Sequence, residues 1–218
     1  MITDKLDIKP EPSDSRYSYP HIGGAEDEAG SLETEVGEFL YGLVRMVKPT
    51  WILETGTYHG VSASYMADAL KDNKLEIGHG GVVTLEYEPK NLEIAKELFK
   101  KLGVDPWIYA ELVSSLDYVP GVMYDLMWLD TEPGIRFEEL IKYYPHLKPG
   151  GYVFIHDLHP HMGQTNVEMN GMRNWPYGTL PEQIKNWLKD GELRPVHFRT
   201  PRGLTCLYRP GLDDYRWV

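Results

Sequence analysis

Residues 51–62 read Trp51-Ile52-Leu53-Glu54-Thr55-Gly56-Thr57-Tyr58-His59-Gly60-Val61-Ser62. Trp51-Ile52-Leu53 is a short apolar run that suits a buried strand ending at Glu54. A helix follows from about Val61 to Leu70. Gly56 and Gly60 lie in the loop between, where glycine lets the backbone turn tightly and come close to a ligand. Three residues separate the two glycines. A dinucleotide loop needs the tighter Gly-x-Gly-x-x-Gly spacing to seat a pyrophosphate on the helix N-terminus. The alternative is a cofactor without phosphates.

Upstream, Ser31 reads as an N-cap, with Glu33 and Glu35 in the first turn. Leu32, Val36, Phe39, Leu40, Leu43 and Val47 recur at helical spacing, and Pro49 stops that helix. Downstream, Val82 to Leu85 is a strand ending at Glu86. Pro89 opens a helix whose apolar face is Ala95, Leu98, Phe99 and Leu102, and Gly103 closes it. Trp107 to Val113 is a third strand, and Asp125 to Leu129 a fourth, ending at Asp130. Phe137, Leu140, Ile141 and Tyr144 mark another helix. Lys148-Pro149-Gly150-Gly151 reads as a sharp turn. Tyr152 to Ile155 is a fifth strand, ending at His156-Asp157. A capping box, Thr179 to Glu182, starts a helix through Leu188. Leu193 to Phe198 and Leu204 to Tyr208 close the chain around Pro201-Arg202-Gly203.

Strands and helices alternate five times, and two further strands follow. The pattern predicts a Rossmann-like, doubly wound, mostly parallel α/β sheet of seven strands with helices on both faces. Right-handed crossovers place the strand C-terminal ends on one rim, where open α/β sheets bind ligands. Glu54, Glu86, Asp130 and Asp157 are the residues at those ends. A carboxylate closing the second strand can accept both hydroxyls of a ribose. Glu54 can pair with an ammonium group. S-adenosylmethionine has a ribose and an ammonium and lacks phosphate.

The run Glu54 to Ser62 resembles the first cofactor motif, Glu-x-Gly-x-Tyr-x-Gly-x-Ser, of class I S-adenosylmethionine-dependent methyltransferases of the catechol O-methyltransferase type. Leu85-Glu86-Tyr87-Glu88-Pro89 resembles their second motif, and Asp125 to Asp130 their fourth strand. Leu147 to Gly151, followed by a strand and Asp157, is similar to the turn shared by class I enzymes. The likeness covers roughly residues 31–160. It implies that Gly56 approaches the methionine moiety, with Thr57 in the same loop. Tyr58, Gly60 and Ser62 would line the amino-acid end, and Glu86 would take the ribose. Ser115 would contact the adenine, although Leu116 stands where the family often has Gln. Asp130 falls on the same cofactor rim.

Enzymes of that type hold magnesium with an Asp after the fourth strand and an Asp-Asn pair after the fifth. Asp130 and Asp157 match the two acids. Leu158 stands in the Asn position and cannot coordinate, which leaves His156 as a substitute. Macrocin- and cephamycin-type relatives carry two acids at 156–157, so a His-Asp pair departs from both groups. A histidine in the set tilts it from magnesium towards a transition metal. A polar rim holding no metal fits the same residues.

Methyl transfer is an in-line displacement at the sulfonium carbon, so the protein must align the donor and the acceptor. It must also handle the acceptor proton, with a metal or with a base near neutrality. The family's Lys base is replaced by Pro133. Among His159, His156 and Asp157 the reading favours His159 as the base. Trp175, Tyr177 and Trp187 suit either an acceptor pocket or ordinary packing.

The 218 residues carry 22 Lys and Arg against 33 Asp and Glu, a net charge of −11. Nucleic acid is a poor partner for that balance. No apolar run approaches the roughly 20 residues of a membrane span. The polar, proline-rich N-terminus lacks the apolar centre of a signal peptide. Cys206 stands alone, which suits a reducing cytoplasm. The expected organisation is an irregular arm or lid over 1–30 and one methyltransferase domain over 31–218, with room for a homodimer. The expected function is methyl transfer to a hydroxyl of a small molecule. Alternatives are an N-methyltransferase, a cephamycin-type accessory protein, a binding module without catalysis and, less well matched, an NAD-dependent oxidoreductase.

Overall fold

A computed structural model describes residues 32–158, 180–198, 200 and 203–211. The arm at 1–30, the caps Ser31 and Thr179, and His159, Trp175 and Tyr177 lie outside the described residues.

Seven strands form one sheet: β1 (Trp51–Thr55), β2 (Gly81–Glu86), β3 (Ile108–Leu112), β4 (Tyr124–Leu129), β5 (Leu147–His156), β6 (Arg194–Phe198) and β7 (Leu204–Tyr208). The order is β3-β2-β1-β4-β5-β7-β6. β2 runs parallel to β3, β1 to β4 and β4 to β5. β7 runs antiparallel to both β5 and β6. This is the expected mostly parallel, Rossmann-like pattern. Every residue of β2 is buried, and so is all of β1 after Trp51, as a strand covered on both faces requires. The end strands β3 and β6 are more exposed. Pro195 is tolerated in β6 because the sheet ends there.

The described chain forms two compact units. The first runs to Thr50 and resumes at Thr57–Ser114; the second holds Trp51–Gly56 and the chain from Ser115 on. In the first, α1 (Thr34–Val47) packs on α2 (Val61–Asp72), and α3 (Pro89–Leu102) packs beside β2 and β3. Residues Val61 to Leu70 are all buried, so α2 is a core helix and not an amphipathic one. In the second unit, α4 (Arg136–Tyr143) packs against β4, and α5 (Glu182–Lys189) precedes the β6–β7 pair. Asp125 ties two strand starts together there. Its side chain accepts from the Trp51 N–H at 3.0 Å and pairs with Lys148 at 2.7 Å.

Three local expectations need correction. Glu33, not Ser31, caps α1, so that helix starts at Thr34. Pro181 caps α5, two residues beyond the expected position. Lys148 to Gly151 lies inside β5 and is not a separate turn. The β4–β5 register shifts there, and Gly150 takes a φ of +82° while its N–H donates to Arg209 O. Turn-type residues in a paired strand make a bulge. The inner face of α4 is Arg136, Glu139, Leu140 and Tyr143, whereas Phe137 and Ile141 are only half-buried. Cys206 is buried in β7, and burial pushes its thiol up to about 12.

Candidate active site

The glycine loop turns through three residues with positive φ. Gly56 and Gly60 have φ of +83° and +82°, and Tyr58, between them, has +46°. Left-handed backbone is costly for a residue with a Cβ, so Tyr58 needs outside support. It has it: the Tyr58 N–H donates to Glu86 Oε2 at 2.7 Å. Thr57 is held in the same way, its N–H donating to Leu85 O at 3.1 Å and its hydroxyl 2.5 Å from that of Thr84. Glu86 Oε1 accepts from the N–H groups of Tyr87 and Glu88, at 3.1 and 2.9 Å. The end of β2 and the loop after β1 therefore share one buried carboxylate. The Tyr58 and His59 rings stack 3.8 Å apart. Ser62 is buried in the first turn of α2.

Glycine is required twice on steric grounds. A Cβ on Gly60 would stand 2.5 Å from the Phe99 ring, and one on Gly56 would stand 2.5 Å from the Asp130 carbonyl oxygen. The first contact lets α2 start close to α3. The second lets the end of β1 lie against the chain leaving β4, where the Asp130 N–H donates to Thr55 O at 3.0 Å. Glu54 is fully buried in β1.

A second cluster gathers beyond β4 and β5. Asp130, His156 and Asp157 each offer one potential ligand atom, all within 4.8 Å of one another. The sequence reading expected these three together. His156 is fully buried, and its Nδ1 stands 3.1 Å from Asp130 Oδ2 and 3.7 Å from Asp157 Oδ1. Asp157 has a φ of +55°, so the acid sits on a left-handed turn. Such backbone strain in a residue with a Cβ is typical of functional sites.

Two residues in this cluster were not foreseen, Arg136 and Glu139. Arg136 Nη2 lies 3.0 Å from Asp130 Oδ1 and 3.3 Å from Asp157 Oδ2. Its Nε donates to Thr131 O at 2.8 Å, and Nη1 donates to His156 O. Glu139, one turn further along α4, accepts from the hydroxyls of Thr131 at 2.8 Å and Thr55 at 3.1 Å. Burial holds the Glu139 carboxyl above its usual range, while Ser115, Thr131, Thr55 and Arg136 pull the other way. The available signal was the i, i+3 spacing of Arg136 and Glu139, which puts both on one helix face. The donor set of the three ligands alone suits a divalent ion. With the guanidinium seated among the carboxylates it does not.

Ser115 is buried, and its carbonyl accepts from Tyr143 Oη and, at 3.1 Å, from Lys142 Nζ. The loop after β3 is thus fastened to α4. Trp187 packs on Tyr144 at 4.1 Å, with Arg209 over the same Tyr144 ring at 4.7 Å. Those contacts give Trp187 a packing role.

A mostly parallel α/β sheet with a glycine loop after β1 and acids closing its strands defines a Rossmann-like fold. The family model described as "Methyltransferase domain" matches residues 53–158. A Mycobacterium sp. (strain JLS) protein named "Putative O-methyltransferase" is 26 % identical over 132 residues, 59 % of this chain and 57 % of that protein. The chain thus matches a little over half the length of this curated relative. A Podospora anserina methyltransferase solved with S-adenosylhomocysteine aligns with a TM-score of 0.68 at 20 % identity, over 85 % of this chain and 82 % of that one. A Bacillus cereus O-methyltransferase, also in complex with S-adenosylhomocysteine, aligns at 0.66 and 18 % identity, over 83 % and 84 %. No helix among the described residues is long and apolar enough to cross a membrane.

Proposed function

We propose that the chain transfers a methyl group from S-adenosylmethionine to a hydroxyl of a small molecule. One observation carries the reading: the Glu86 carboxylate, at the end of β2, is bonded to the loop that the glycines shape. A buried carboxylate in that place has the chemistry to grip a nucleoside sugar. The matching domain family and the methyltransferases of like fold support the same reaction.

On this reading Glu86 takes the ribose hydroxyls and Glu54 the ammonium group. Gly56, Thr57, Tyr58, Gly60 and Ser62 shape the methionine end. Ser115 lies on the adenine, and Asp130 closes the rim. The methyl carbon passes from sulfur to the acceptor oxygen, the C–S electron pair stays on sulfur, and S-adenosylhomocysteine leaves neutral. The acceptor proton goes to a protein base, which we place among His156, Asp157 and His159. Asp130 orients the His156 ring through the 3.1 Å contact to Nδ1. No step requires a metal. A cytoplasmic enzyme, monomeric or dimeric, with residues 1–30 as a lid over the acceptor, completes the proposal.

Calorimetry with S-adenosylmethionine, S-adenosylhomocysteine and NADH tests it. The expected result is saturable binding of the two adenosyl compounds and none of NADH. NADH binding, or no binding of either adenosyl compound, overturns it.

A further inference from the structure

We infer that Arg136 is the resident cation of the Asp130–His156–Asp157 cluster and does the work a divalent metal would do there. The inference is independent of the methyl-transfer reading, because each of its tests reads binding or stability.

The two acids need a positive partner. Both carboxylates are largely buried, with side-chain exposures of 18 % and 10 %, and buried like charges raise each other's cost. Arg136 supplies that partner from a position 3 % exposed. One nitrogen, Nη2, reaches an oxygen of each acid. The guanidinium thus bridges the two carboxylates.

The remaining donors show that the guanidinium is built in. Nε and Nη2 both donate to Thr131 O, just beyond β4, and Nη1 donates to His156 O, at the end of β5. Only a planar fork reaches two carbonyls and two carboxylates at once. Nη1 and Nη2 also hold the peptide and side chain on either side of the strained Asp157 turn. The charge cannot be shed to admit a metal, because a guanidinium stays protonated in proteins. A second cation beside it would meet like charge at close range in a poorly screened site. It would also have to break the Asp130–His156 contact.

Helix polarity gives an independent argument. Arg136 is the first residue of α4, where the macrodipole disfavours a cation. A basic side chain buried there needs compensation, and the two carboxylates provide it.

The test uses the full chain. Mn2+ titration followed by electron paramagnetic resonance should show no loss of the free-ion signal with the wild type, and Mg2+, Mn2+ or Zn2+ should leave its thermal midpoint unchanged. Arg136→Gln removes the charge and leaves the two buried acids without their guanidinium, so its midpoint should fall by about 10 °C. Mn2+ should then bind near one per chain and restore much of that loss. Arg136→Lys keeps a charge and should bind no metal. A wild type that binds one Mn2+, lost in Asp157→Asn, overturns the inference whether or not Arg136→Gln folds. An Arg136→Gln protein as stable as the wild type overturns it too.

Discussion

The backbone N–H of Tyr58 and the carboxylate of Glu86 meet at 2.7 Å, so one acid both fixes the left-handed loop and ends the second strand. Three N–H groups point at that carboxylate, from Tyr58, Tyr87 and Glu88. A carboxylate offers about four lone-pair sites, which leaves capacity for a ligand hydroxyl.

Glu86→Ala should therefore weaken S-adenosylhomocysteine binding by roughly 10- to 100-fold, the value of one or two charge-assisted hydrogen bonds. Glu88→Ala is the control. Glu88 caps α3 through Lys90 N, and its loss should change affinity by less than about 2-fold. Calorimetry measures both, and equal affinities for Glu86→Ala and wild type would remove Glu86 from the sugar site.

Gly56→Ala should destabilise far more than Gly78→Ala, though both glycines have positive φ, at +83° and +87°. Gly78 faces open space, so alanine there meets only the left-handed backbone cost of about 1–2 kcal/mol. At Gly56 the new Cβ would run into the Asp130 backbone, which cannot swing aside as a side chain can. Overpacking adds about 1–3 kcal/mol to the strain. Denaturant midpoints of the two variants decide the matter, and similar values would mean that the close approach at Gly56 is not needed.

Hydrophobic periodicity located the alternating elements because they run as apolar segments between Gly and Pro. It did not show which residues α4 turns inwards, for a physical reason. Phe137, Leu140, Ile141 and Tyr144 form the apolar stripe, yet the helix turns Arg136 and Glu139 inwards, because two carboxylates and the Thr55 and Thr131 hydroxyls wait there. Those partners lie on other strands and are invisible to a periodicity within one segment. The Lys148 to Gly151 stretch has turn chemistry but becomes strand, since Gly150 and Gly151 exchange backbone hydrogen bonds with Arg209, which comes about 60 residues later. The convergence of Asp130, His156 and Asp157 was legible, because strand ends in a parallel sheet share a rim.

Glu139→Gln should make the protein relatively more stable as pH rises. Burial raises the Glu139 carboxyl in the folded state, so the folded chain holds that proton more tightly than the unfolded chain. The resulting stabilisation is complete below the unfolded carboxylate value, near 4.5, and is lost as pH rises through the raised folded value. Glutamine keeps an acceptor for Thr55 and Thr131 and cannot ionise. The difference in thermal midpoint, variant minus wild type, should therefore grow as pH rises from the unfolded value towards the raised folded one. A difference that stays flat over that range would show that the Glu139 carboxyl is not raised in the folded protein.

Tyr143→Phe should loosen the loop that carries Ser115. Tyr143 is buried, and burial pushes its phenol well above the ordinary tyrosine value, so it remains a donor at any working pH. Its hydroxyl donates to the Ser115 carbonyl, which Lys142 also holds. Removing one of the two donors should cost about 1 kcal/mol of stability, the net worth of one buried hydrogen bond. If Ser115 lies against the adenine, the same variant should bind S-adenosylhomocysteine several-fold more weakly and leave the Glu86 contribution intact. Amide hydrogen exchange at residues 114–117 should quicken in parallel. Faster exchange with unchanged affinity would detach the Ser115 loop from the cofactor and leave its bonds to Tyr143 and Lys142 purely structural.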